Sequence, residues 1–432
     1  MKKYLCLLFW AIHFSSIAQV NQDLNSIVKN VLDHSPALKG QKTLLSVGET
    51  KSQIQKSYAD PIIAYEAGIT RIDPVSKATF ATGPASTVLQ FQPNMNYTTH
   101  FIANQVLYDW GKNAQNIEKI RLENKLTQSQ IDVMAFGMAY QIATIYHQIH
   151  YLKNVVTIQT AELKRIKDQA AIIEQQIKLG EAIELDAMGW RIKVTNQENK
   201  VSETQSQIGK LIDFLETQAG KELKKELTNM TTLNQSNEGS IENNPSFKQL
   251  DAEKAILDQE INVQSKASSP TLSGVATLGI RNGYLPRING ETPPITDDFR
   301  VNSMLGIKLT VPIYSGKRAY YQQNIAKIQQ ERVNFLKEEK NTQLAYEVRQ
   351  GEVNLKNLQD KMALQVKVIE QAKYAYKLAE ARYKEGTIKQ LEIDQAQNTL
   401  EEAQLMEENF RLQIHLQQMD LLKAKGLRFW EN

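Results

Sequence analysis

Two long segments of the chain carry apolar residues at alternating spacings of three and four, which is the spacing of one face of an α-helix. The first series runs through Ile142, Ile145, Ile149, Leu152, Val156, Gln159, Leu163, Ile166, Ala170, Ile173 and Ile177, and the second through Leu355, Leu358, Met362, Gln365, Ile369, Ala372, Tyr376, Ala379 and Tyr383. Heptads sustained over this length predict helices that supercoil against partner helices.

Each long helix is predicted to end at a glycine and to be followed by a second helix. A helix over 112–179 would be about 100 Å long at about 1.5 Å per residue. Gly180 and Gly386 then end the two long helices, and the chain returns in helices at about 183–218 and 388–425. The pattern therefore predicts two very long helical hairpins.

A shorter helix precedes each predicted hairpin. Helical patterns cover 21–58 and 245–268, and a proline follows each of them, Pro61 in the first case and Pro270 in the second. Because proline lacks an amide hydrogen and its ring clashes with the preceding turn, neither helix is expected to continue past it.

Between these helices, apolar and polar residues alternate one by one, which is the period of a β-strand. In 299–313 one face carries Phe299, Val301, Leu305, Ile307, Leu309, Val311 and Ile313, broken only by Ser303, and the other carries Arg300, Asn302, Met304, Gly306, Lys308 and Thr310. Partner strands are predicted at 271–281 and 63–70, and at 97–108, which is rich in β-forming residues but alternates poorly.

A strand with one apolar and one charged face fits two kinds of sheet. It is typical of a membrane barrel, with Ile307, Leu309 and Val311 facing lipid and the charged side facing the lumen. It is also typical of an ordinary sheet with one wet face. The long polar connections at 73–93 and 282–298, rich in glycine and proline, favour the barrel, because such barrels carry long extracellular loops.

This whole order of elements occurs twice, roughly 206 residues apart, which indicates a duplicated half-molecule. The matching landmarks are Ser35-Pro36 with Asn244-Pro245, Pro61 with Pro270, Gly111-Lys112 with Gly316-Lys317, and Gly180 with Gly386. We therefore divide the chain into a first repeat at 19–220, a linker or equatorial segment at 221–244, a second repeat at 245–425 and a C-terminal tail at 426–432.

The N-terminal residues 1–18 have the features of a secretory signal peptide. Lys2 and Lys3 are basic, an apolar stretch follows, and small residues precede Gln19. The single cysteine, Cys6, lies inside this leader, so the mature chain is expected to contain no disulfide. An exported chain without a long apolar helix could enter a membrane only as β-strands in a closed barrel. Because four strands cannot close a barrel, several chains would have to share one.

Charge and motifs argue against an enzyme and against nucleic-acid binding. The chain has 51 Lys and Arg against 48 Asp and Glu, so it has no strong basic excess. It contains no glycine-rich phosphate loop, nucleophile elbow or zinc motif. His147 and His150 could share a helix face and hold a metal, but without a third ligand two partly exposed histidines are favoured. We expect no catalytic residues, no cofactor and no metal site.

Four motifs of the sequence have counterparts in a known family. They are Tyr108-Asp109-Trp110-Gly111-Lys112, Val311-Pro312-Ile313-Tyr314-Ser315-Gly316-Lys317-Arg318, the helix opening Asn244-Pro245, and the tip from Gly386 through Leu391-Glu392 to Ala396-Gln397 and Thr399-Leu400. Together with the duplication they resemble TolC-type outer-membrane efflux proteins over nearly the whole mature chain.

The resemblance implies a mainly α fold with a membrane β-barrel. In a homotrimer each chain would give four strands to one twelve-stranded barrel embedded in outer-membrane lipid, and the hairpins would form a trimeric α-barrel continuous with it across the periplasm. The implied function is a passive outer-membrane channel of a Gram-negative cell, in a tripartite efflux or type I secretion system. The implied partners are a periplasmic adaptor (membrane fusion) protein and an inner-membrane pump of the RND or ABC type. The alternative is an exported periplasmic coiled-coil scaffold with a small soluble sheet.

The resemblance also places a gate at the hairpin tips, around Gly180 and Gly386. In the family, acidic residues after the second tip glycine ring the closed entrance of the tunnel. Glu392 falls on the first of these positions. Gln395 occupies the second, and Asp394 lies one place earlier, so this chain departs from a double carboxylate ring.

In the first repeat, Asp186 occupies the position equivalent to Glu392, and Glu184 lies nearby. Threefold symmetry would gather three copies of each carboxylate around one axis, where they would attract cations. The alternative is that these are solvated acids that favour the N-terminus of a helix.

Overall fold

The structure is a computed structural model. It describes residues 22–82, 85–223, 239–283, 287–289 and 299–431. The predicted signal peptide and Cys6 lie outside the described residues, as does most of the predicted connection at 282–298.

Seven α-helices account for most of the described chain. They are α1 (Gln22–His34), α2 (Pro36–Ser57), α3 (Lys112–Leu179), α4 (Glu184–Ala219), α5 (Pro245–Ser265), α6 (Arg318–Lys384) and α7 (Gln390–Ala424). The long helix predicted over 112–179 is present with those bounds, and α6 is almost as long. Within the described residues, none of these helices combines the length and apolar composition needed to span a bilayer.

The first predicted helix, 21–58, is interrupted. Ser35 separates α1 from α2, and Pro36 is the first residue of α2. Proline is well tolerated at that position, because the first amide of a helix has no partner within the helix. The Ser35 hydroxyl accepts the amide of Leu38 at 3.5 Å. The sequence therefore predicted helix correctly but missed this break.

Within the described residues, seven strands form two sheets. The strands are β1 (Ile62–Arg71), β2 (Lys77–Thr82), β3 (Ala85–Gln90), β4 (Met95–Tyr108), β5 (Thr271–Arg281), β6 (Arg287–Ile288) and β7 (Arg300–Thr310). The larger sheet has the order β1-β4-β5-β7, and every neighbouring pair is antiparallel. The smaller sheet, β2-β3-β6, lies in segments that we expected to be plain loops. β2 and β3 have six residues each and β6 has two, and alternation over so few residues cannot be distinguished from loop sequence.

The last strand of the larger sheet is shorter than its pattern. The alternation continues to Ile313, but β7 ends at Thr310, so Val311 lies just beyond the strand. Pro312 follows and has no amide hydrogen to donate to a neighbouring strand. The expectation of a strand over 299–313 was therefore too long at its C-terminal end.

The described chain divides into two compact units, each built from both halves of the sequence. The first comprises residues within 1–42, 129–249 and 336–432 and is all helical apart from its turns. Its largest group of buried apolar residues, which we call the helical core, contains Leu24, Ile27, Val28, Val31, Phe136, Ala139, Tyr140, Ile142, Ala143, Tyr146, Ile149, Leu215, Ala219, Leu223, Met419 and Trp430. The second unit comprises 43–128 and 250–335 and contains both sheets.

Candidate functional site

The four-stranded sheet of the second unit has one continuous apolar face. Leu309 pairs with Leu272, Ile307 with Gly274, and Leu305 with Ala276. Directly opposed residues of neighbouring strands share a face, so the register agrees with the predicted alternation. Leu305 is 88% exposed and Ile307 is 74% exposed.

The same face continues across the first two strands. Phe101 of β4 pairs with Leu278 on one side and with Tyr65 on the other. The rings of Tyr65 and Phe101 are 5.2 Å apart, and both are more than half exposed. Ile63 and Ile69 of β1 extend the face to the edge of the sheet, and both are likewise exposed. An exposed apolar surface that spans four strands marks a site of contact with lipid or with protein.

The opposite face of this sheet carries charged side chains beside apolar ones such as Ile62 and Met304. Alternation places Lys308, Arg300, Arg281 and His100 there, and His100 Nε2 lies 3.4 Å from a carboxylate oxygen of Glu66. Most charged residues of the sheet therefore lie on this one face. That Ile307 and Leu309 face lipid stays a prediction, and Val311 lies beyond the regular strand.

Both edges of this sheet are open in the described residues. β1 pairs only with β4, and β7 pairs only with β5. These edge strands are 10 and 11 residues long. A long exposed edge presents a row of unpaired amide and carbonyl groups that is ready to pair with another strand.

The hairpin tips lie in the first unit, and each begins at a glycine with a left-handed backbone. Gly180 has φ 78° and Gly386 has φ 70°, values that side chains with a Cβ rarely adopt. The next residue closes the turn in both cases. Glu181 N donates to Gln176 O at 2.9 Å, and Thr387 N donates to Arg382 O at 3.0 Å. The two tips therefore end their long helices by the same C-capping arrangement.

The acidic residues of the first tip have local partners. A carboxylate oxygen of Asp186 accepts the amide of Ile183 at 3.3 Å at the start of α4. Glu184 Oε1 lies 2.9 Å from Nη1 of Arg191, which also contacts Glu174. Both acids are exposed. Their geometry is that of ordinary acids at a helix N-terminus, and a role at the gate stays a prediction.

The acids of the second tip differ from one another. Glu392 is exposed, and within the described residues its carboxylate has no side-chain partner. Asp394 lies two residues further on, with one oxygen 2.5 Å from Lys193 Nζ and the other 2.9 Å from Gln390 Nε2. Gln395 is exposed and uncharged. Glu392 is therefore the acid of this tip that is left available for another chain or for an ion.

The Lys193–Asp394 ion pair joins the two hairpins. Lys193 belongs to α4 and Asp394 to α7, and the ammonium also lies 4.2 Å above the ring of Trp190. The sequence could not reveal this pair, because its members are about 200 residues apart and each looks like an ordinary helix-surface charge.

Packing inside each hairpin is apolar. Ile166 and Ile173 of α3 pack with Ala187 and Trp190 of α4. In the second hairpin the corresponding cluster contains Ile369, Ala372, Leu400 and Ala403. Ile166, Ile173, Ile369 and Ala372 belong to the two heptad series found in the sequence, whereas the residues of the returning helices α4 and α7 do not.

Several contacts between the hairpins are polar. Gln397 donates to the buried carboxylate of Glu162, which also contacts Arg165. Gln197 donates to Glu401 at 3.2 Å, and Asn154 donates to Glu408 at 2.7 Å. A polar interface of this kind fixes the register of two helical pairs while contributing little apolar burial.

Of the two histidines of α3 that the sequence suggested to be partly exposed, His150 is partly exposed and His147 is buried. His147 is 3% exposed, and its ring stacks on His415 of α7 at 5.0 Å between ring centres. Burial lowers the pKa of His147 to about 3, and the neighbouring rings of His415 and His150 add to this effect. No group of three metal-ligating side chains with suitable geometry occurs in the part of the chain that the structure describes.

Comparison with known proteins supports the resemblance found in the sequence. The family model for outer membrane efflux proteins matches residues 238–427. No curated protein sequence matches the chain.

Solved structures match over nearly the whole chain. The outer membrane protein VceC of Vibrio cholerae is 16% identical with a TM-score of 0.69, and the match covers 94% of this chain and 96% of that one. The CmeC outer membrane channel of Campylobacter jejuni is 15% identical with a TM-score of 0.69, over 94% of this chain and 86% of that one. The MtrE outer membrane channel of Neisseria gonorrhoeae, in its open state, is 14% identical with a TM-score of 0.68, over 94% and 89%. At such low identity these matches show a shared fold. Residues 238–427 therefore match the family of outer membrane efflux proteins, and nearly the whole chain shares the fold of the outer membrane channels named above.

Proposed function

We propose that this protein is the outer-membrane channel of a tripartite efflux or type I secretion system, a passive conduit across the periplasm and the outer membrane. The observation that carries the proposal is the four-stranded sheet with one exposed apolar face and two open edges. In lipid, backbone groups must be paired within the protein, so a spanning sheet has to close on itself.

Closure requires further copies of the chain. The smallest membrane barrels have about eight strands, and one chain supplies four in this sheet. Strand directions alternate from β1 to β7, so β7 of one copy can continue the antiparallel pattern beside β1 of the next. Three copies would give twelve strands, an even number as in bacterial barrels. We infer a homotrimer with Ile307 and Leu309 facing lipid.

The helical hairpins would then surround a tunnel through the periplasm. The match to the outer membrane efflux protein family supports an association of this protein with a periplasmic adaptor and an inner-membrane pump. The buried polar contacts between the hairpins would fix the register of the helical pairs in the wall of this tunnel.

The gate of this tunnel would lie at the tips, with Glu392 as its main charged residue. Three copies around the trimer axis would form a carboxylate ring that attracts cations. Asp394 would act differently, because its pair with Lys193 holds the second hairpin against the first. Loss of that ion pair is expected to favour the open tunnel.

Cell fractionation and sizing test the proposal together. An integral channel stays with outer membranes through a carbonate wash and is a trimer in mild detergent. A protein that washes off as a soluble, monodisperse monomer would instead be the periplasmic scaffold, with its sheet covered by another protein.

A further inference from the structure

A cavity of about 440 Å³ lies where the larger sheet meets the helices of the second unit. The end of α2, the end of β4, the first residue of β5 and the first turn of α3 enclose it. This volume is within the range of pockets that hold small ligands or a part of a larger one.

One wall of the cavity is apolar and owes its form to a β-bulge. The pairing of β4 with β5 shifts between Val106 and Tyr108, so Leu107 is the extra residue. Its side chain lies over Gly274, where an added Cβ would be 3.5 Å from it. Tyr58 and Tyr108 complete this wall, and both rings are more than half exposed. The bulge therefore directs a leucine into the cavity that a regular strand would have placed elsewhere.

The other wall is polar and carries one available cation. The carboxylate of Asp109 is occupied, because it accepts the amides of Gly111 at 3.0 Å and Asn113 at 2.6 Å. The Asn113 side chain in turn accepts from Gln55 at 2.6 Å. Lys112 is exposed at the cavity, and within the described residues no acidic side chain lies within ion-pair distance of its ammonium. The cavity thus combines an apolar surface with the exposed ammonium of Lys112 and with the carboxylate of Asp109, whose oxygens are held by backbone amides.

The surroundings of the cavity suit a membrane–water boundary. Tyr108 and Trp110 pack edge to face at 4.8 Å, and both are exposed. Exposed aromatic residues at the ends of spanning strands are typical of the level of lipid headgroups. Tyr108 is the last residue of β4, so the cavity opens at the end of the proposed spanning segment.

We propose that this cavity binds one anionic phospholipid of the adjoining leaflet, with its phosphate at Lys112 and the start of an acyl chain against Leu107 and Tyr58. The site rests on the proposed function, since it requires the sheet to be in a bilayer. It would anchor the strand-to-helix junction of the first repeat, and the second repeat has no counterpart of Asp109-Trp110 between its tyrosine and its Gly316-Lys317.

The test uses the full chain in nanodiscs that contain phosphatidylcholine and phosphatidylglycerol. Native mass spectrometry of the released protein counts the lipids of each kind that are retained. Lys112→Gln is expected to weaken phosphatidylglycerol retention about fivefold. This factor corresponds to the roughly one kcal/mol that one lysine contributes to binding at an anionic membrane surface. Leu107→Asn should lower retention of both lipids. Inorganic phosphate should not displace the retained lipid.

The matched control is Lys317→Gln, which changes the equivalent lysine of the second repeat, away from the cavity. It should retain phosphatidylglycerol as the unmodified protein does. An equal loss of phosphatidylglycerol retention in both lysine variants, or no loss in Lys112→Gln, would refute the proposed lipid site. Displacement by inorganic phosphate would show that a small anion, not a lipid, is bound. A chain that never inserts into nanodiscs would refute the proposed function and the site together, whereas normal insertion without dependence on Lys112 would refute the site alone.

Discussion

The helical core and the apolar face of the larger sheet contain similar apolar and aromatic side chains. These side chains are buried in the core and exposed on the sheet. In the core, Tyr146 is fully buried and Trp430 is 5% exposed. On the sheet, Leu305, Ile307 and Tyr65 are all more than 60% exposed. The chain alone therefore completes its core but leaves the sheet face uncovered.

The difference separates two sources of stability. Each core side chain removed from water stabilises the fold of a single chain by about 1.5–3 kcal/mol. The side chains of the sheet face make no such contribution to the free energy of folding until lipid or another protein covers them. Residues of the core should accordingly control folding, and residues of the sheet should control assembly and insertion.

The largest effect is expected from a change in the core. Trp430 packs against Phe136 and Tyr140, and truncation of a buried tryptophan costs about 3–5 kcal/mol. Trp430→Ala should lower the free energy of unfolding by that amount in guanidinium denaturation followed by circular dichroism. Phe299→Ala, which removes an exposed ring beside the sheet, is the control and should leave the helical transition in place. Similar losses in both variants would contradict the division between the two regions.

A charge on the sheet face should have the next largest effect. Ile307→Arg is expected to cost about 2–4 kcal/mol of membrane insertion if the site lies near the middle of the bilayer. The yield of detergent-resistant trimer should fall, while the helical content of the chain is kept. Lys308→Gln, one residue further on and on the polar face, is the matched control and should assemble normally. Equal tolerance of both changes would show that the faces are assigned the wrong way round.

The sequence predicted regular elements well because their patterns are local and repeated. The bounds of α3 and the alternation of β7 with β5 follow from periods of 3.6 and 2. What the sequence missed depends on distant partners. Trp430 was assigned to a tail, yet it packs on Phe136, almost 300 residues away. Asp394 was predicted to be a residue of the gate or a solvated acid at a helix start. No feature of the neighbouring sequence indicates its partner Lys193.

Acid should weaken the helical core more than the sheet. The pKa of His147 is lowered to about 3 in the folded state, so between that value and the usual 6.5 the unfolded chain binds the additional proton. Stability is therefore full above about pH 6.5 and falls as the pH is lowered below it. The loss between pH 7 and pH 5 should be about 2 kcal/mol.

His147→Phe should remove most of this pH dependence. Denaturation at the two pH values measures it, and His34→Gln, at an exposed position, should keep the slope of the unmodified protein. An unchanged slope in His147→Phe would assign the acid sensitivity to other groups.

The smallest effect on stability is expected at the hairpin tip, outside both regions. Glu392→Ala should change the free energy of unfolding by less than about 0.5 kcal/mol, since the carboxylate is exposed. It should nevertheless reduce cation selectivity and block by trivalent cations in planar-bilayer recordings, because a ring of three charges is lost.

Asp394→Ala, alone or combined with Glu392→Ala, distinguishes the effect of the negative charge at this tip from the effect of the contact between Asp394 and Lys193. It breaks the ion pair with Lys193, which as a partly exposed pair is worth about 0–1 kcal/mol, and should raise open probability. If selectivity and block stay unchanged in the double variant, both acids are solvated residues at a helix start, and the gate lies elsewhere.

The place of Trp430 in the core also has a consequence for biosynthesis. The hydroxyl of Tyr140 donates to the carbonyl of Leu427 at 2.6 Å, and Phe429 packs edge to face on the ring of Tyr140. These contacts join a residue in the first third of the chain to residues that are among the last to be synthesised. The rings of Phe136 and Tyr140 therefore lack these aromatic partners until the last segment of the chain has been synthesised. This part of the core can close only after that.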